Sequence, residues 1–141
     1  MSYATSTDLE ARLAPDLLLT LTDDDGDETP DATVLAAALS DAAAQIDQSL
    51  GRRYVTPLDA PPEILTRWCV DLAIENLFLR KKIDLPREQA DRLALTHRTL
   101  DAIESGLVGL AGATPKLDEQ AAENSRRLET PTFSFDTMET F

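Results

Sequence analysis

Apolar residues return at steps of three and four along most of this 141-residue chain, which is the period of helices with one buried face. The clearest run extends from Pro30 to Leu50, where Leu35, Leu39, Ala42, Ile46 and Leu50 share a face and Gly51 is placed to stop the helix. Thr29 offers a cap there, Pro30 suits the first helical position, and Asp31 suits the positive end of the dipole. "RRYVTPLDAPP", residues 52 to 62, cannot be helical with Pro57, Pro61 and Pro62. A third segment follows to about Lys82, with Leu65, Trp68, Cys69, Leu72, Ala73 and Leu77 on one side. Asp84 and Pro86 then open a fourth, lined by Leu93, His97, Leu100, Ile103 and Leu107, with Gly106 near its end. Ahead of these, the capping-box spacing of Thr7-Asp8-Leu9-Glu10 starts a short helix that Pro15 interrupts, and "PDLLLTL" adds another short turn. The expected fold class is all-α: a small bundle of three long helices, each about 30 Å, with short N-terminal helices.

After Gly106 the period fades. "VGLAGATPK" is rich in small residues, "LDEQAAENSRRLE" is polar without an apolar stripe, and "TPTFSFDTMETF" closes the chain with Phe133, Phe135, Met138 and Phe141. The organisation expected is a helical domain over 1–110 and, over 111–141, a polar linker with an extended C-terminal tail. Three of the four phenylalanines lie in the last nine residues, beyond a segment too polar to pack. They could fold back on their own bundle, or form a docking strip that orders on a partner by strand addition or pocket filling. Phe133, Phe135, Met138 and Phe141 are the candidate partner-docking residues.

Charge alters the picture more than composition does. The formal net charge is −13, which argues against gripping phosphates and permits docking to a basic protein surface or lining a path along which nucleic acid slides. Acid concentrates at the ends: residues 1–31 hold nine acids against Arg12 alone, and residues 117–141 hold six against two bases. The cationic exceptions are Arg52-Arg53 and Arg80-Lys81-Lys82, each following an apolar helical segment. There they favour the negative helix terminus within the chain, or meet an acidic neighbour across a subunit boundary. The single cysteine, Cys69, excludes an internal disulfide and reads as a buried, inert thiol in a reducing compartment. No run long enough for a membrane span and no signal-peptide pattern occurs, so a soluble cytoplasmic chain with no membrane partner is expected.

Chemistry is sparse. "LTDDDGDETPD", residues 21 to 31, has the composition of a calcium loop, yet with Gly26 at loop position 6 the first and twelfth positions are Leu21 and Ala32. Starting at Asp23 puts Glu28 on the glycine position and Val34 on the closing one, so both registers fail and a solvated turn between helices is the plainer reading. His97 has no second histidine or cysteine near it, no phosphate-binding glycine loop or nucleophile elbow occurs, and the Asp71/Glu75 spacing is common among 26 acids. No catalytic residue, metal ligand or cofactor is assigned. The expectation is a non-enzymatic interaction protein.

Four collinear blocks sharpen it. "YATSTDLEARLAPDLLLTLTDDDGD", "VLAAALSDAAAQIDQSLGRRYVTPL", "APPEILTRWCVDLAIENLFLRK" and the closing "FSFDTMETF" resemble the Mu-type phage neck family. The shared patterns are a "YAT..DLE.R" start, an "LTD.DGD" turn, an "AL.DA..EID..L..RY..PL" block and an "FS.D.M...F" close, with the linker from about 110 to 130 unmatched. Gln45 stands where that block would carry an acid. The resemblance implies a head-tail adaptor, a structural virion protein of the neck, made in the host cytoplasm. It also implies a homo-oligomeric, dodecameric ring between the portal protein and a tail or stopper protein, with DNA passing through the lumen unbound. The contrasting reading from the residues alone is an acidic DNA-mimic or inhibitor that covers a basic protein surface.

Overall fold

A computed structural model describes residues 2–117 and, beyond them, residue 125. Five helices occur among them: α1 (Ser6–Glu10), α2 (Pro15–Thr22), α3 (Ala32–Leu50), α4 (Glu63–Lys81) and α5 (Arg87–Glu104). The three long ones, of 19, 19 and 18 residues, pack against one another, and α1 and α2 lie across α4. The fold is therefore the all-α bundle that the periodicity predicts. Phe133, Phe135, Met138 and Phe141 lie outside the described residues.

The apolar face of each long helix is buried as its spacing requires. Ile46, Leu50, Leu72 and Leu77 are fully enclosed and Trp68 is 7% exposed. Helix α4 is central: it buries residues on nearly every side, Val70, Ala73, Ile74 and Phe78 included. A helix enclosed through its middle, from Trp68 to Phe78, is what a small bundle needs at its axis.

The helix starts differ in detail from expectation because a neighbouring polar group takes the orphan amides. Thr5, not Thr7, caps α1: its hydroxyl accepts from the Asp8 amide (3.3 Å) and the Asp8 carboxylate accepts from the Thr5 amide (2.8 Å). Asp31, not Thr29, caps α3, its carboxylate accepting from the Thr33 amide at 2.9 Å, while Thr29 bonds Asp27. Helix α3 ends at Leu50 with Gly51 as its C-cap, as expected, though Gly51 keeps right-handed geometry and the Arg53 and Tyr54 amides both turn back to the Leu50 carbonyl. Helix α4 stops at Lys82, a lysine in the left-handed region with φ of 55°. The Ile83 amide bonds the Phe78 carbonyl and the Lys82 amide bonds that of Leu79, the paired closure for which glycine is the usual residue.

Past α5 the chain remains on the bundle further than the polar composition suggests. Gly106, at φ of 82°, makes the reversal in a backbone conformation that favours glycine, with the Arg53 guanidinium packed against it. Residues 107–117 then run back over the end of α3. Val55 donates to the Thr114 carbonyl (3.0 Å), the Lys116 amide donates to that of Arg53 (2.8 Å), and the Tyr54 hydroxyl accepts from the Leu110 amide (2.8 Å). Leu107, expected on the inner side of the fourth helix, is 83% exposed, because α5 ends at Glu104 and the glycine turn carries it outward.

Candidate functional site

The acidic turn between α2 and α3 folds around its own side chains. Asp23 accepts from the amides of Gly26 (2.8 Å) and Glu28 (3.1 Å), and Asp27 accepts from the amide and hydroxyl of Thr29. Oxygens of Asp23, Asp25 and Asp27 lie within 4.8 Å of one another, so these three are the residues that could hold a cation. The crowding has a cost, since the charge of Asp27 foremost pushes the Asp25 carboxyl above its ordinary value, while the Thr29 bonds hold Asp27 below it. A calcium shell takes six to eight oxygens, more than one from each of these three carboxylates.

The cationic pair at the end of α4 is committed to this turn. The Lys81 ammonium reaches Asp24 at 2.8 Å, and the Arg80 guanidinium bonds both Asp24 and the Leu21 carbonyl. Both hold the Asp24 carboxyl below its ordinary range, Lys81 foremost. Arg52 pairs with Glu104 at 2.9 Å, joining the ends of α3 and α5, and is itself 70% exposed. Arg52, Arg80 and Lys81, candidates for contacts between subunits, thus have acid partners inside the chain; Arg53 lies against Gly106 and Lys82 forms the α4 closure.

One ion pair escapes a reading of the sequence. Asp71, 6% exposed, sits in the middle of α4, with the Arg12 guanidinium at 3.5 Å and the Thr96 hydroxyl at 3.1 Å. Glu75, one turn on, meets His97 at 3.1 Å. The i,i+4 carboxylates are therefore not a solvated pair: both tie α4 to α5, and Asp71 also ties it to the α1–α2 connection. The signal available was Arg12, the single base among the first 31 residues. His97 itself is half exposed, because Thr96 takes the inward position expected of it.

Near the N-terminus, the Tyr3 hydroxyl donates to Asp47 and accepts from the Leu58 amide. Burial, then the Asp47 bond, push its pKa up to about 12. Cys69 is fully enclosed beneath this segment and burial raises its thiol too, as an inert core cysteine requires.

Two surface features stand out from a charged exterior. The end of the bundle formed by residues 53–55 and 107–117 exposes Val55, Leu107, Val108 and Leu117, half of all the large apolar side chains exposed among the described residues. A groove of about 460 Å³ lies between the N-terminal segment and the first half of α3, lined by Ala4, Ser6, Glu10, Leu35, Ala36 and Leu39. A smaller groove of about 210 Å³ holds Ser49, His97 and Glu104, yet among the described residues Ser49 makes no hydrogen bond to the imidazole that would activate it.

The described residues thus form a helical bundle with exposed apolar surface and ionic ties between its helices. The chain belongs to the Bacteriophage Mu, Gp36 family, which it matches over residues 3–128. It is 43% identical over 74 residues to gene product J of Escherichia phage Mu, covering 52% of each chain. It is also 32% identical over 99 residues to the Mu-like prophage FluMu protein gp36 of Haemophilus influenzae, covering 70% of this chain and 67% of that one. The chain thus spans about half the length of gene product J and two thirds of the prophage protein. The family match takes in the polar stretch from 111 to 128 and stops before Phe133, so the linker belongs to the matched region and the aromatic close lies beyond it. Among the described residues no helix is long and apolar enough to cross a membrane.

Proposed function

We propose that this phage-family protein is a non-enzymatic structural component of the virion neck, a head-tail adaptor that forms a ring between the portal and the tail and lets DNA pass without binding it. The observation that carries the proposal is where the apolar surface lies. Val55, Leu107, Val108 and Leu117 are exposed together at one end of a chain with a net charge of −13, and clustered exposed apolar side chains on a charged domain mark an association surface. The chain continues from that same end into the segment carrying Phe133, Phe135, Met138 and Phe141, a strip suited to pockets on the portal, the tail or stopper protein, or a neighbouring copy. The acid surplus suits a lumen that repels the phosphate backbone. A ring of identical wedges needs two different faces that fit one another, and the bundle has distinct ones.

The test is electron microscopy of the full chain mixed with its cognate portal. Rings stacked coaxially on the portal are expected. Particles that remain separate at all protein ratios, or a complex with a basic nuclease or DNA-binding protein that salt dissociates, would point to the acidic mimic instead.

A further inference from the structure

We infer that copies of this chain join head to tail, the apolar end of one (Val55, Leu107, Val108, Leu117) seating in the groove between the N-terminal segment and α3 of the next.

The groove, of about 460 Å³, has an apolar floor of Ala4, Leu35, Ala36 and Leu39, with room for two or three aliphatic side chains. Leu107 is 83% and Leu117 is 82% exposed, so they have little cover to lose within their own chain and a groove to gain on another. Charge matches in the same sense. Residues 2–10 and 30–41, which build the groove, contain Asp8, Glu10, Asp31 and Asp41 and neither lysine nor arginine. Residues 51–56 and 104–117, which build the protruding end, contain Arg52, Arg53 and Lys116 against Glu104 alone. Opposite net charge on the two rims steers and registers an apolar contact.

A chain cannot satisfy itself. Ala36 in the groove and Arg52 at the protruding end are separated along α3 by roughly 25 Å at about 1.5 Å per residue. The two surfaces are different, so the contact is heterologous and propagates until it closes on itself. Closure into a ring rests on the adaptor reading above; the pairwise contact does not.

The experiment is analytical ultracentrifugation of the full chain and two variants. Leu107→Asp spoils the protruding end and Ala36→Trp fills the groove; both positions are exposed, so circular dichroism should match the wild type. The wild type should self-associate with rising concentration, and each variant alone should associate at least about tenfold more weakly. An equimolar mixture of the two variants should form one-to-one dimers and nothing larger, because one intact end then meets one intact groove. A wild type that stays monomeric to about 1 mM, variants that assemble as the wild type does, or a mixture that yields no dimer overturns the inference. Variants that assemble normally and still decorate portals would sink this contact and leave the adaptor standing. Mixed dimers with no portal binding would do the reverse.

Discussion

The Arg12 guanidinium lies 3.5 Å from the carboxylate of Asp71, which is 6% exposed in the middle of the central helix. It is the join between the α1–α2 connection and the core, and Thr96 completes it from α5. Removing the cation leaves a carboxylate enclosed with one hydroxyl for company. Because Arg12 is itself partly exposed, its loss should cost less than that of a fully buried partner, about 1–3 kcal/mol for Arg12→Met. Asp71→Asn, which keeps the shape and removes the charge, should cost less than Arg12→Met. Urea denaturation of both variants decides the order; equal stability of Arg12→Met and wild type would show that the pair carries nothing.

Leu72 should be among the most sensitive core positions. It is fully buried on the helix that contacts all four others, and Leu72→Ala removes three carbons from an interior with little room to relax. A loss of about 2–5 kcal/mol is expected. Wild-type denaturation midpoints for that variant would place the load-carrying face elsewhere.

The N-terminal segment should loosen at high pH. The pKa of Tyr3 is raised in the fold to about 12 from 10.0, so the neutral phenol is the form the structure favours. Its contribution is complete below pH 10 and fades as pH climbs from 10 towards 12. Tyr3→Phe should flatten that alkaline decline in a series of thermal melts, at some loss of stability near neutrality from the missing Asp47 bond. An unchanged alkaline profile in Tyr3→Phe would assign the decline to other groups. Cys69 beneath it should react with a thiol reagent only after unfolding; rapid stoichiometric labelling of the native chain would contradict its enclosure.

The helices were legible because burial leaves a period: Leu35, Leu39, Ala42 and Ile46 can share a face only in a helix. Their ends were less so, since Thr5 and Thr7, or Thr29 and Asp31, are equally able caps until the chain direction is known. The return of residues 107–117 over Tyr54 is a long-range pairing of a segment with no stripe of its own, and no local pattern encodes it. Arg12 and Asp71 are 59 positions apart, and each looks like an ordinary surface charge alone. In the acidic turn, spacing alone does not show the convergence of Asp23, Asp25 and Asp27, which depends on the curvature of the loop around Gly26, at φ of 77°.

That turn should not depend on calcium. No glutamate stands at the closing position of either calcium-loop register, so millimolar Ca²⁺ should shift the melting temperature no more than the same ionic strength of Na⁺. A saturable, Ca²⁺-specific rise that Asp25→Ala abolishes would reveal a working site.

Deleting residues 130–141 should separate folding from assembly. The buried core runs from Tyr3 to Ile103, with Leu110 and Ala113 packed at its edge, and the last described backbone pairing is that of Lys116 with Arg53. Among the described residues, helices α1 to α5 supply most of that core. Helicity and melting temperature should therefore stay close to those of the full chain. Residues 117–141 can span roughly 80 Å at about 3.3 Å each when extended, several times the length of a bundle helix, which puts Phe133, Phe135, Met138 and Phe141 within reach of a neighbouring protein. Burying each of the three phenylalanines, or Met138, in a partner's pocket would return about 1.5–3 kcal/mol before ordering costs, enough for the four residues together to decide whether docking holds. Heads made with the truncated chain should therefore accumulate without tails. Tailed particles at the normal yield would remove the docking role, and a truncated chain that melts well below the full one would make those residues part of the fold.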